Sequence, residues 1–245
     1  MYPRPPARSG TDNRPMLRLL HRDDHLIAID KPPGLLVHRT GLDAGETRFA
    51  VQLLRDQIGQ PVWPVHRLDK GTSGVLLFAL DAATASQLGR AFESGEGISK
   101  TYHAIVRGWP AEEGLIDHPL RRLPDDMRTE REEVQDAQTR FTTLERYELP
   151  LPYGGFPATR CALVELQPLT GRRHQLRRHL KHIAHPIIGD ATHGKGPLNR
   201  AVAGYLGVQR LWLHASGLAL RHPFSGAALM LGAPRDAAWS RWRAP

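Results

Sequence analysis

The 245-residue chain contains one cysteine, Cys161. A single thiol cannot close an intrachain disulfide, form a CxxC redox pair or build a multi-cysteine zinc site. Its surroundings, TRCALVELQP, predict a small buried apolar group in a strand instead. No apolar run approaches the roughly 20 residues needed to span a membrane. The start, MYPRPPARSGTDNRP, has no hydrophobic core of the kind a secretory signal requires, so a cytoplasmic protein is expected. There is no Walker or dinucleotide glycine motif and no internal repeat, so neither a nucleotide cofactor nor a solenoid is indicated.

Lysine and arginine outnumber aspartate and glutamate by 33 to 25, a formal charge of +8, which favours a polyanionic partner. A net charge also aids solubility, so the distribution of the cations carries more weight than their sum. Apolar residues at 40% and charged residues at 24% are globular proportions and exclude a fibrous or wholly disordered chain.

Residues 1–15, rich in Pro, Arg and Gly, have no apolar period and predict a tail, with one folded unit over residues 16–245. LRLL and LIAID predict two short strands around a turn at Arg22 to His25, before the break at Pro32-Pro33-Gly34. Ala50, Leu53, Leu54 and Ile58 recur at helical spacing. VLLFAL (75–80) predicts a buried strand, followed by a helix that Asp81 can cap. ISKTYHAIVRG, RFTTLERYE and TRCALVELQP read as strands, GRRHQLRRHLKHI as a helix, and LWLHA, GLALRH and AALML as short strands. The charged segment from Leu115 to Gln138 and the Pro/Gly stretch from Leu149 to Pro157 read as loops. Lacking regular strand-helix alternation, this inventory predicts an α+β fold with a large, mixed, mostly antiparallel sheet.

Chemistry concentrates in one turn, His66-Arg67-Leu68-Asp69-Lys70-Gly71-Thr72-Ser73-Gly74, directly before the apolar strand. An aspartate among basic residues and small neighbours can be an ionised carboxylate open to a substrate. A loop aspartate can equally cap neighbouring backbone amides. Resemblance weighs between the two. HRLDKGTSGVLLFA is similar to the signature of the RluA-type pseudouridine synthases, whose invariant aspartate falls on Asp69. DKPPGLLVH (30–38) resembles the family's first motif, KTYHAIV (100–106) its tyrosine-bearing strand, and LTGRRHQLRRHL (169–180) with HPIIGD (185–190) its basic helix and turn. LWLHA (211–215) completes the set, in the family's order, over nearly the whole folded chain.

The resemblance implies a fold with a central active-site cleft and an isomerase that rebuilds uridine as its C-glycoside without cofactor or metal. Asp69 would be the catalytic carboxylate, adding to C6 of the base or assisting its departure from C1′; the sequence leaves both routes open. Arg177 would pair with that carboxylate. Tyr102 would stack on the flipped uracil with its hydroxyl near the proton lost from C5, and Leu213 would pack on the same base. Arg67 would hold a phosphate or fill the place of the extruded base, and His66 would satisfy a backbone group. Arg172, Arg173, Arg177, Arg178 and Lys181 would track an RNA backbone, joined by Lys31 and Lys100. Many relatives begin with an S4-type RNA-binding domain, for which the first motif here leaves no room, and this turns the expectation from large ribosomal RNA to tRNA. HAIVRGW (103–109), DQIGQ (56–60) and GRRHQLRRHLKHIAHPIIGD resemble members that isomerise uridine 65 of certain tRNAs. In one departure, Lys70-Gly71 follows the aspartate where Arg and a different residue are common; Lys70 keeps the charge. A monomer acting on RNA is expected.

Two rival readings come from other classes. His174, His179, His182 and His185 have helical spacing and could ligate zinc, but no HExxH motif or nearby Glu completes a ligand set. A noncatalytic RNA-binding protein would account for the basic helix and leave the Asp69 turn without purpose.

Overall fold

The computed structural model describes residues 16–39, 45–122 and 133–243. The tail expected at residues 1–15 and the centre of the charged segment after Leu115 lie outside the described residues. In chain order the elements are β1 (Arg18–Arg22), β2 (Leu26–Lys31), α1 (Ala50–Ile58), β3 (Trp63–Pro64), β4 (Ser73–Ala79), α2 (Ala82–Ser94), β5 (Ser99–Arg107) and β6 (Glu113–Asp117). Then follow β7 (Leu120–Arg121), β8 (Val134–Gln135), β9 (Gln138–Leu149), β10 (Thr159–Pro168), α3 (Gln175–His182), α4 (Gly196–Leu206), β11 (Leu213–Arg221), β12 (Ala228–Gly232) and a 3-10 helix (Ala237–Trp242). Ten strands make one sheet in the order β1-β2-β4-β11-β5-β10-β9-β6, with β12 beside β11 and β3 beside β4.

Strand alternation sorts the core onto two faces. Leu76 and Phe78 of β4 pack with Ala50 and Leu54 of α1, while Val75, Leu77 and Ala79 pack with Leu88 of α2. In the other half, Ala104 and Val106 of β5 pack with Leu176 and Leu180 of α3, and Ile105 joins Leu198, Val202 and Leu206 of α4. Tyr102 touches both the α1 cluster and the α3 cluster, so it sits where the two halves of one face meet. Burial of each large apolar side chain is worth about 1.5–3 kcal/mol. The α2 start has the expected cap, Asp81 Oδ1 accepting from the Thr84 amide at 2.8 Å. The α1 start lacks a side-chain cap; its Ala50 and Val51 amides donate instead to the Leu36 and Val37 carbonyls.

The two halves join at a seam between β4 and β11, where the strands run parallel and match at Ser73↔His214 and Gly74↔Ala215. All other strand pairs in the sheet are antiparallel. Arg210 Nη2 donates to Ser73 Oγ at 2.9 Å, and Ser73 Oγ meets His214 Nδ1 at 2.9 Å across the seam. Gly74 has φ +107°, and a Cβ there would lie 2.1 Å from the Ala215 carbonyl oxygen. Gly74→Ala is therefore expected to lower the melting temperature by about 10 °C or more, from roughly 3 kcal/mol of strain and clash in a chain of this size. Thermal melting followed by circular dichroism checks it; an unchanged transition would mean that the seam accommodates a side chain.

The α+β class and the large mixed sheet agree with expectation. The differences are local. LWLHA and GLALRH do not make two strands: His214 to Arg221 continue without a break in β11, because β5 and β12 flank that stretch as partners. The segment read as a loop from Leu115 begins inside β6, whose amides and carbonyls pair with β9. Helix α4 had no counterpart in the sequence reading. Among the described residues, no helix is long and apolar enough to cross a membrane.

Candidate active site

Asp69 sits in a turn closed by the Thr72 amide on the Asp69 carbonyl at 3.0 Å, just before β4 enters the core. Leu68 is buried in the α1 cluster, which pins one side of the turn. On the other side Gly71 lies against Leu211, where a Cβ would approach the Leu211 Cβ to 2.9 Å. Underneath is Lys31. Its Nζ donates to the carbonyls of Leu35 at 2.7 Å, Pro32 at 3.0 Å and Lys70 at 3.2 Å. Lys31 was expected on the RNA-facing surface, but it is fully buried and its three donors are engaged with backbone, so it supports the turn from behind. Burial draws its pKa down to about 7, against the opposing pull of the Asp69 charge.

The structure brings Arg177 and Asp69 together: Nη1 donates to Asp69 Oδ2 at 2.8 Å. The same guanidinium holds a second carboxylate, with Nε on Asp190 Oδ2 at 2.7 Å and Nη2 on Asp190 Oδ1 at 2.8 Å. Asp190 Oδ1 also accepts from the amides of Thr192 and His193, each at 2.9 Å. Burial alone would raise the Asp190 pKa; Arg177 and those amides outweigh it and hold the group below the usual carboxylate range. The Asp190 side chain is 0% exposed and that of Asp69 is 25% exposed. Of the two carboxylates on one arginine, only Asp69 is open to an incoming molecule.

Tyr102 lies in β5 opposite Ala215, and Leu213 lies opposite Ala104 two pairs further along, so the tyrosine and the buried leucine share a face. Burial, and then the Asp69 charge, raise the Tyr102 pKa, so the phenol stays protonated at neutral pH. Arg67 is exposed beside the turn. His66 faces inward, its Nε2 accepting from the Leu77 amide at 3.1 Å and its ring stacked on Phe92 at 4.6 Å. Burial lowers its pKa to about 3, so it serves as a neutral acceptor.

The basic helix is more tied down than its sequence suggests. Arg172 Nε donates to the Asp136 carbonyl at 3.0 Å and Arg178 Nη1 to the Arg121 carbonyl at 2.9 Å, fastening the segment that carries β7 and β8. Lys181 is exposed, and Lys100 is half-buried with its Nζ 5.5 Å from the Phe92 ring centre. The four histidines of the zinc reading go separate ways. His179 is buried between Thr139 Oγ1 and the His118 carbonyl, His182 stacks on His118, and His185 meets the Arg107 carbonyl.

The fourth, His174, belongs to the site. Its Nε2 is 3.7 Å from Asp69 Oδ1 and its Nδ1 is 3.1 Å from His193 Nε2. Burial lowers the His174 pKa to about 4 despite the Asp69 charge, so the ring is neutral at pH 7. Asp190, His174 and His193 are thus three polar groups at the site that sequence reasoning did not assign there. The available signal was the HPIIGD turn, where one charged residue closes an apolar run.

A model of the RNA pseudouridylate synthase family matches residues 25–182. Proteins named tRNA pseudouridine synthase C from Vibrio cholerae and Yersinia pestis are each 48% identical over 228 residues, covering 91% of this chain and 93% and 88% of theirs. Among solved structures, human RNA pseudouridylate synthase domain containing 1 superposes with a TM-score of 0.70 at 25% identity, covering 95% of this chain and 90% of that one. Human RNA pseudouridylate synthase domain containing 4 gives 0.68 at 28%, with coverage of 92% and 93%. With one family model spanning more than half of the chain and relatives sharing nearly half its residues over nine tenths of its length, the chain belongs to the RNA pseudouridylate synthase family.

Proposed function

We propose that the protein isomerises uridine to pseudouridine in tRNA, at the uridine corresponding to position 65, with Asp69 as the catalytic carboxylate. One observation carries the choice of residue: Arg177 bridges two carboxylates, and Asp69 is the one with solvent access. One guanidinium between two carboxylates leaves a net negative charge, which suits a group that must attack or assist at an electrophilic carbon. Arg177 directs that carboxylate, and Lys31 holds the backbone of the turn beneath it. A uracil turned out of its helix meets the Tyr102 ring and Leu213 on the shared face, and base stacking on an aromatic ring is worth about 1–3 kcal/mol. The protonated phenol then lies beside the carboxylate as a hydrogen-bond donor. Arg67 contacts a phosphate near the extruded nucleotide. The tRNA assignment rests on the names of the relatives above and on the motif resemblances in the sequence. Residues 16–245 form the catalytic unit in this reading, acting as a cytoplasmic monomer with neither metal nor nucleotide cofactor.

The test is mapping of pseudouridine by carbodiimide primer extension across tRNA and ribosomal RNA from cells with and without the gene. Deletion is expected to remove pseudouridine at tRNA position 65 and to leave ribosomal RNA unchanged. Loss confined to ribosomal RNA would overturn the substrate and leave the family standing.

A further inference from the structure

His174 occupies the left-handed backbone region, which is uncommon for a residue other than glycine. It is the residue before α3, with φ 54° and ψ 25°, and its side chain makes no capping bond to the helix. A non-glycine residue in the left-handed region is strained, and such strain persists where the surrounding structure over-determines it, often at a functional site. What the conformation achieves is to bring the ring to Asp69. Asp69 Oδ2 is held by Arg177, and Nε2 of His174 stands 3.7 Å from the other oxygen, Oδ1.

Behind His174 the arrangement closes on itself. Arg177 links Asp69 to Asp190; the Asp190 carboxylate accepts the His193 amide; His193 Nε2 reaches His174 Nδ1; and His174 returns to Asp69. The groups facing His174 are Asp69 from the catalytic turn, Arg173 from the segment before α3, Arg177 from α3, and His193 from the turn before α4. The tautomer follows from electrostatics. A lone pair on His174 Nε2 would point at a carboxylate oxygen, so Nε2 carries the hydrogen; Nδ1 is then an acceptor, and His193 Nε2–H donates to it.

The geometry points to His174 as a positioning residue: oriented by His193, its Nε2–H steers the free Asp69 oxygen, directly or through one water, toward the reacting carbon. Arg177 thereby holds Oδ2 by a hydrogen bond while His174 faces Oδ1 at 3.7 Å, so the carboxylate plane is biased from both sides. This rests on the reading of Asp69 as the catalytic group.

The test compares His174→Gly, His174→Asn, His193→Phe, His193→Gln and Asp69→Asn by tritium release from tRNA containing 5-tritiated uridine, with melting temperatures measured alongside. Glycine relieves the left-handed strain, so His174→Gly is expected to melt at or above the wild-type temperature. Its kcat is expected to fall on the order of 10²-fold, the scale of a misdirected reacting group, with KM little changed. Asparagine tolerates the left-handed region and offers an N–H, so His174→Asn should recover part of that kcat. His193→Phe keeps a ring but removes the donor and should resemble His174→Gly, whereas His193→Gln keeps an N–H and should retain most activity. Wild-type kcat in His174→Gly, or equal rates for His193→Phe and His193→Gln, would overturn the inference. If Asp69→Asn is inactive while His174→Gly is fully active, only the role of His174 fails; if Asp69→Asn turns over normally, the reading beneath it fails as well.

Discussion

Asp69→Asn is expected to lower the rate of uridine isomerisation on the order of 10⁴-fold or more, the scale seen when the central catalytic group of an enzyme is removed. The substitution keeps the size and shape of the side chain, and its amide oxygen can still accept from Arg177 Nη1, which now holds Asp69 Oδ2 at 2.8 Å. The turn should therefore stay folded on Lys31, Leu68 and Leu211. What disappears is the anionic oxygen that, in the proposed reaction, adds to C6 or assists at C1′. Affinity for tRNA should stay the same or tighten slightly, since one negative charge facing a polyanion has gone. Filter binding at fixed salt measures this. A collapse of both binding and fold would identify Asp69 as a structural aspartate.

Arg177→Ala is expected to damage both the reaction and the fold, and for separable reasons. The fully buried Asp190 would lose two hydrogen bonds and its ion pair with Arg177, and breaking a buried pair from one side costs about 3–5 kcal/mol. At that size the melting temperature should drop by roughly 10 °C. Asp69 would also lose the donor that fixes Oδ2, so turnover should fall even at temperatures where the variant is folded. Arg177→Lys separates the two effects. It returns a positive charge to Asp190 without the planar fork that makes three directed bonds, so stability should recover further than the rate. Parallel recovery of both would mean that charge alone, and not direction, is what Arg177 provides.

Legibility in the sequence followed the range of the forces involved. The apolar run ending at Leu80 and the Asp81 cap are local signals, and β4 and α2 lie where they point. The strand with Tyr102 and the turn with Asp69 were located in the same way. Helix α4 does carry an apolar stripe, Leu198, Val202 and Leu206, but Gly196 and Gly204 lower its propensity, and its packing beneath the sheet on Ile105 and Trp212 settles it as a helix. The burial of Lys31 runs against the habit of lysine and is visible only once three carbonyls converge on one ammonium. Asp190 looks like an ordinary turn residue until the guanidinium of Arg177 reaches it across thirteen positions of sequence. His174 was legible as a histidine at helical spacing, which suggested a metal ligand. Its contacts with Asp69 and His193 arise from tertiary structure, which no periodicity encodes.

The central claim is that the Asp69 carboxylate of this protein isomerises uridine in tRNA. The most direct measurement is tritium release from 5-tritiated uridine in unmodified tRNA, with purified wild type and Asp69→Asn side by side in chelator and without nucleotide. The expected result is complete release at one uridine per substrate tRNA for the wild type and none above background for the variant. Comparable release by the two proteins would contradict the account.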